Sequence, residues 1–95
     1  MNKNLINKLK KLKPILEKEY GIKKFALFGS QARGDYNKNS DIDIIVFEIN
    51  IKSGFELIKA KNFLEKNLGK KVDIGTFKSL KTFIKRSIKE DLIYV

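Results

Sequence analysis

The sequence predicts an α+β domain: a mixed sheet of three to four strands with helices packed on it, filling residues 1–95 as one unit. Three observations carry that expectation. The amino-terminal stretch repeats its apolar residues at helical spacing, which marks a helix with one buried face. Two dense apolar runs, Ile22 to Phe28 and Asp41 to Glu48, are bounded by glycine and polar residues and are the right length for strands. From Asp41 to Gly75 the order is strand, helix, strand, which makes a crossover unit with parallel strands.

Each element follows from its residues. Leu5, Ile6, Leu9, Leu12, Ile15 and Leu16 recur on one side of the first helix. Pro14 lacks an N–H and disfavours helix at Lys13, so the expectation is a helix from about Asn4 to Lys11, then a kink or fresh start to Glu19. Gly21 is the stop. Ile22 to Phe28 forms the first strand, Gly29-Ser30 a tight turn, and Ser30 to Arg33 a single helical turn. Gly34 to Ser40, rich in Gly, Asp, Asn and Ser, is loop. Asp41 to Glu48 is the second strand. Ser53 is placed as the N-cap of a helix carrying Phe55, Leu57, Ile58, Phe63 and Leu64 and ending at Gly69. Lys71 to Gly75 forms the third strand, with Asp73 at its centre. Ser79 caps a last helix with Leu80, Phe83, Ile84 and Ile88, and the tail Leu92 to Val95 adds a short strand or docks on the core.

Composition removes whole classes of chemistry. The chain has no cysteine and no histidine. Thiolate and imidazole metal sites, cysteine nucleophiles and the Ser-His-Asp triad are therefore excluded. Carboxylates, hydroxyls, lysines, arginines and oxygen-bound metals remain. The net charge of +10 suits an anionic ligand or an acidic partner, although the lysines spread over the whole chain rather than forming a patch. The aromatic residues fall at core-like spacing, so nucleic acid is not the expected partner. No run of residues is apolar enough to span a bilayer, and a cytoplasmic location is expected.

The chemistry gathers between residues 29 and 73. Asp41 and Asp43, two apart at the start of a strand, leave one face of it. Like charges that close are unfavourable unless a cation lies between them, and a magnesium site makes the arrangement stable. The parallel crossover brings Asp73 beside them, while antiparallel pairing of the first two strands brings Gly29-Ser30 to the same sheet end. Three carboxylates there can hold one or two Mg²⁺ ions, the two-ion case being the clamp for phosphoryl displacement. Gly29 admits a phosphate close to the backbone, and Ser30 offers a hydroxyl and an N–H. With no histidine, Asp73 is the candidate general base.

Gly29-Ser30, ten intervening residues, Asp41-Ile42-Asp43 and a later strand-borne Asp73 resemble the nucleotidyltransferase superfamily of the DNA polymerase beta type. More narrowly, Phe28-Gly29-Ser30-Gln31-Ala32-Arg33-Gly34-Asp35 followed by Ser40-Asp41-Ile42-Asp43-Ile44 looks like the minimal nucleotidyltransferases, the MntA-like antitoxins. The resemblance implies magnesium-dependent transfer of AMP from ATP to a tyrosine hydroxyl of a HepT-like helical toxin, silencing it within a toxin–antitoxin pair. It implies metal ligands at Asp41, Asp43 and Asp73, with Asp73 also the base, and triphosphate binding at Gly29 and Ser30. Larger superfamily members hold the acceptor with an extra domain, so here the partner supplies that surface, in a homo- or hetero-oligomer. The other functional classes are a non-catalytic module that binds nucleotide or partner, and nucleotidyl transfer to RNA or a small molecule.

Overall fold

A computed structural model describes residues 2–34, 41–79 and 92–95. The elements are α1 (Lys3–Tyr20), β1 (Ile22–Phe28), α2 (Ser30–Arg33), β2 (Ile42–Ile49), α3 (Glu56–Leu68), β3 (Val72–Thr76), a 3₁₀ turn at Phe77–Ser79, and β4 (Ile93–Tyr94). The loop expected at residues 35–40 and the body of the helix expected after Ser79 lie outside the described residues.

The four strands form one mixed sheet in the order β3-β2-β1-β4. β1 is antiparallel to β2 and to β4, and β2 is parallel to β3. The α+β expectation therefore holds, with four strands. Alternation along the strands splits the sheet into two faces. Phe25, Leu27, Ile42, Ile44, Val46 and Val72 turn to the helices and are buried against Leu5, Ile6, Leu9 and Leu16 of α1 and Ala60 and Leu64 of α3. Phe28, Asp43, Ile45 and Phe47 turn to the opposite face. The two-residue β4 is held there by side chains as well as by its ladder. Tyr94 packs on Phe47 with ring centroids 5.3 Å apart, Lys24 Nζ lies over both rings, and Lys13 Nζ donates to the Val95 carbonyl at 2.7 Å.

The first helix departs from expectation: it runs unbroken through Pro14. Leu9 before the proline and Leu16 after it are both buried in the same core, which holds the two halves in line. Pro14 and Lys10 are exposed, so the proline lies on the solvent side of the helix. Ile15, expected on the apolar face, is 41% exposed instead. The Gly21 stop is as expected, with φ +70° and its N–H donating to the Glu17 carbonyl.

Ser53 is not the N-cap of α3. The helix begins at Glu56 after Phe55, and the cap runs backwards from Glu56 itself. Its carboxylate accepts the N–H groups of Ser53 at 2.9 Å, Lys52 at 2.9 Å and Gly54 at 2.8 Å. The Ser53 hydroxyl instead accepts from the Phe55 N–H. The helix thus starts two residues later than expected; Ala60 and Leu64 are its buried residues, and Phe55 and Ile58 are exposed.

Those backbone donors, Ser53 and Lys52 foremost, hold the Glu56 carboxyl at about 2, below its ordinary 4.5. A carboxyl lowered on folding stabilises the fold above its unfolded pKa, and that contribution fades as pH falls from about 4.5 towards 2. Glu56→Gln is therefore expected to melt below wild type at neutral pH, with the difference closing as the pH approaches 2. Melting curves that stay parallel across that range would contradict this.

Candidate active site

The register of the ladder builds the site. Asp43 lies opposite Phe28 on β1 and beside Asp73 on β3, so the start of β2 carries an acid flanked on one side by the end of β1 and on the other by a second acid. Neighbours in register on parallel strands sit about 4.8 Å apart with side chains on one face. Asp43 is half-buried and Asp73 exposed. The inner acid is thus fixed by the sheet, and the outer one is open to an incoming molecule.

Phe28 leads directly into Gly29, whose φ is +75°. A methyl group built on Gly29 would stand 2.7 Å from Asp43 Oδ2. The carboxylate therefore lies against the bare Cα of the turn, and only glycine leaves both the backbone twist and the space. The turn closes through the Ala32 N–H, which donates to the Gly29 carbonyl at 3.1 Å, and starts the single helical turn α2 at Ser30. Gly29 and Ser30 accordingly stand at the same sheet end as Asp43 and Asp73.

Asp41 sits differently from its expected place in the strand. The first rung of β2 is Ile42, whose N–H donates to the Lys71 carbonyl at 3.0 Å, so Asp41 precedes the ladder and is exposed. Among the described residues no group of three or more acids is close enough to hold a metal ion. The structure brings Asp43 and Asp73 together and leaves Asp41 at their edge. This donor set suits magnesium, which prefers hard oxygen and is usually bound by one or two carboxylates, with substrate phosphate and water completing the shell.

A cleft of about 650 Å³ opens at the other end of the same strands, lined by Phe47, Ile51, Thr76 and Lys78 among others. It lies about three rungs, or roughly 10 Å, from the carboxylates and holds no acid pair. The paired carboxylates stand at the opposite end of these strands.

One element of the site had no expectation attached. Gln31 is a buried polar side chain that accepts from Asn2 Nδ2 at 2.9 Å, tying the turn to the start of α1. A glutamine beside Gly-Ser and an asparagine before an amphipathic helix each have local explanations, and nothing in the spacing couples them.

The model of the nucleotidyltransferase domain family matches residues 9–95. The chain belongs to that family. A Methanocaldococcus jannaschii relative named "putative protein adenylyltransferase" is 50% identical over 90 residues, covering 92% of this chain and 90% of its own length. The protein adenylyltransferase MntA of Thermococcus cleftensis is 34% identical over 80 residues, covering 84% of this chain and 81% of its own. Among solved structures, one described as a "putative minimal nucleotidyltransferase" superposes with a TM-score of 0.77 at 24% identity, over 98% of this chain and 95% of that one. The antitoxin in a complex with a tri-AMPylated Shewanella oneidensis HEPN toxin superposes with a TM-score of 0.69 at 21% identity, over 99% of this chain and 71% of that one. These likenesses confirm the fold of a minimal nucleotidyltransferase. Among the described residues no helix is long and apolar enough to cross a membrane.

Proposed function

We propose that this nucleotidyltransferase is a protein adenylyltransferase and antitoxin, moving AMP from ATP to a tyrosine hydroxyl of a HepT-like helical toxin. One observation carries the proposal: Asp43 stands beside Asp73 at the start of a parallel strand pair, with its carboxylate resting on Gly29. The adenylyltransferase and antitoxin names of its relatives and structural neighbours supply the acceptor class.

Asp43 and Asp41 would hold Mg²⁺, with Asp73 completing the shell, and the ion would neutralise the triphosphate and polarise the phosphorus under attack. Gly29 keeps the turn bare enough for phosphate oxygens to approach, and Ser30 donates to them. Asp73, the exposed member of the pair, receives the proton of the tyrosine O–H. The tyrosine oxygen then bonds to the α-phosphorus, and the bond from that phosphorus to the leaving pyrophosphate breaks. The net charge of +10 favours encounter with both ATP and an acidic partner.

The test is incubation of the chain with ATP, Mg²⁺ and a HepT-like toxin from the same genome, followed by intact-mass and peptide mass spectrometry. The expected product is toxin carrying AMP on tyrosine. Toxin neutralised at unchanged mass would instead identify a binding module, and AMP found only on RNA or a small molecule would move the acceptor to that class.

A further inference from the structure

Asn2 and Gln31 are 29 positions apart, and they meet in one hydrogen-bonded pair behind the phosphate turn. Gln31 is wholly buried, at 0% exposure, and a buried amide of this kind is held by its partners. Besides accepting the Ile6 N–H at its carbonyl, Asn2 makes three further bonds at once. Its Nδ2 donates to Gln31 Oε1 at 2.9 Å, its backbone N–H donates to the Gln31 carbonyl at 3.1 Å, and its Oδ1 accepts the Leu5 N–H at 3.2 Å as the cap of α1. The start of an 18-residue helix is thereby fastened to the second residue of a four-residue one.

A single helical turn has no stability of its own. α2 is placed by what its residues touch: Ala32 is buried in the core, and Gln31 is gripped through both side chain and main chain. Gly29 and Ser30 immediately precede these two anchors.

We propose that the Asn2–Gln31 pair is a positioning device for catalysis, holding the Gly29–Ser30 turn against Asp43 in the form that receives the triphosphate. This rests on the function proposed above. The Gln31 side chain is buried and bonded to Asn2, so the pair acts through the turn that it holds. Loosening the pair lowers the population of the competent turn, and apparent ATP affinity falls by that fraction while the bound state reacts as before.

Asn2→Ser separates clamping from capping, because serine is a good N-cap but too short to reach Gln31. Gln31→Met fills similar volume without an acceptor. Each is expected to raise KM for ATP about fivefold, the scale of one hydrogen bond, with kcat at saturating ATP unchanged. Amide exchange at Gln31 and Ala32, measured without nucleotide, should quicken. Unchanged KM and unchanged exchange in both variants would overturn the proposal, and so would equal falls in kcat and kcat/KM, which mark general loosening. A wild-type protein that neither binds ATP nor transfers AMP would refute the proposed function instead. The exchange measurement alone would then decide the clamp: faster exchange in Asn2→Ser supports it, and unaltered exchange overturns it.

Discussion

Asp43→Asn is expected to leave a folded protein that no longer transfers AMP, with activity reduced by roughly 10³-fold or more. Asp43 is held on three sides: Phe28 lies opposite it, Asp73 beside it, and Gly29 beneath its carboxylate. Asparagine keeps the shape but removes the negative charge, and it turns one oxygen into an N–H₂ group that cannot ligate a cation. Intact-mass spectrometry of toxin incubated with the variant should show only unmodified protein, while circular dichroism shows the wild-type fold. Transfer at the wild-type rate would remove Asp43 from the mechanism.

Gly29→Ala should damage both stability and transfer. At φ +75° an alanine costs roughly 1 kcal/mol in backbone strain, or about 4–8 °C in melting temperature for a domain of this size. Its methyl group would also stand 2.7 Å from Asp43 Oδ2, so either the turn or the carboxylate must move. A displacement of about 1 Å at reacting groups is worth roughly 10²-fold in rate, and transfer should fall by that order. Gly69→Ala is the control. Its φ is +68°, but no heavy atom lies within 4 Å of the added methyl group. It should lose comparable stability and keep its transfer activity. If the two variants transfer equally well, close approach at Gly29 is not part of the site.

The strands were legible from local patterning, and the acid pair from the topology rule that a strand-helix-strand crossover is parallel. β1 was bounded at Ile22 and Phe28, as observed, and the crossover logic placed Asp73 beside Asp43. Elements decided by tertiary packing were not legible. Pro14 breaks helices on local grounds, yet here Leu9 and Leu16 share a core that keeps the helix continuous. Ser53 is a better local cap than Phe55, but three backbone donors converge on Glu56 and shift the start. Asp41 belongs to the motif, yet the ladder begins one residue after it. The bond between Asn2 and Gln31 spans 29 positions and leaves no periodic trace.

The most direct test of the site is a Mn²⁺ titration followed by NMR, with manganese replacing magnesium and ATP present. At low, stepwise additions of Mn²⁺, paramagnetic broadening should set in first at the amides of Gly29, Asp43 and Asp73 and only at higher occupancy at Phe47 and Thr76, roughly 10 Å further along the same strands. Asp43→Asn should abolish it. Broadening centred on the far end, or unaltered in that variant, would show that these carboxylates do not hold the ion.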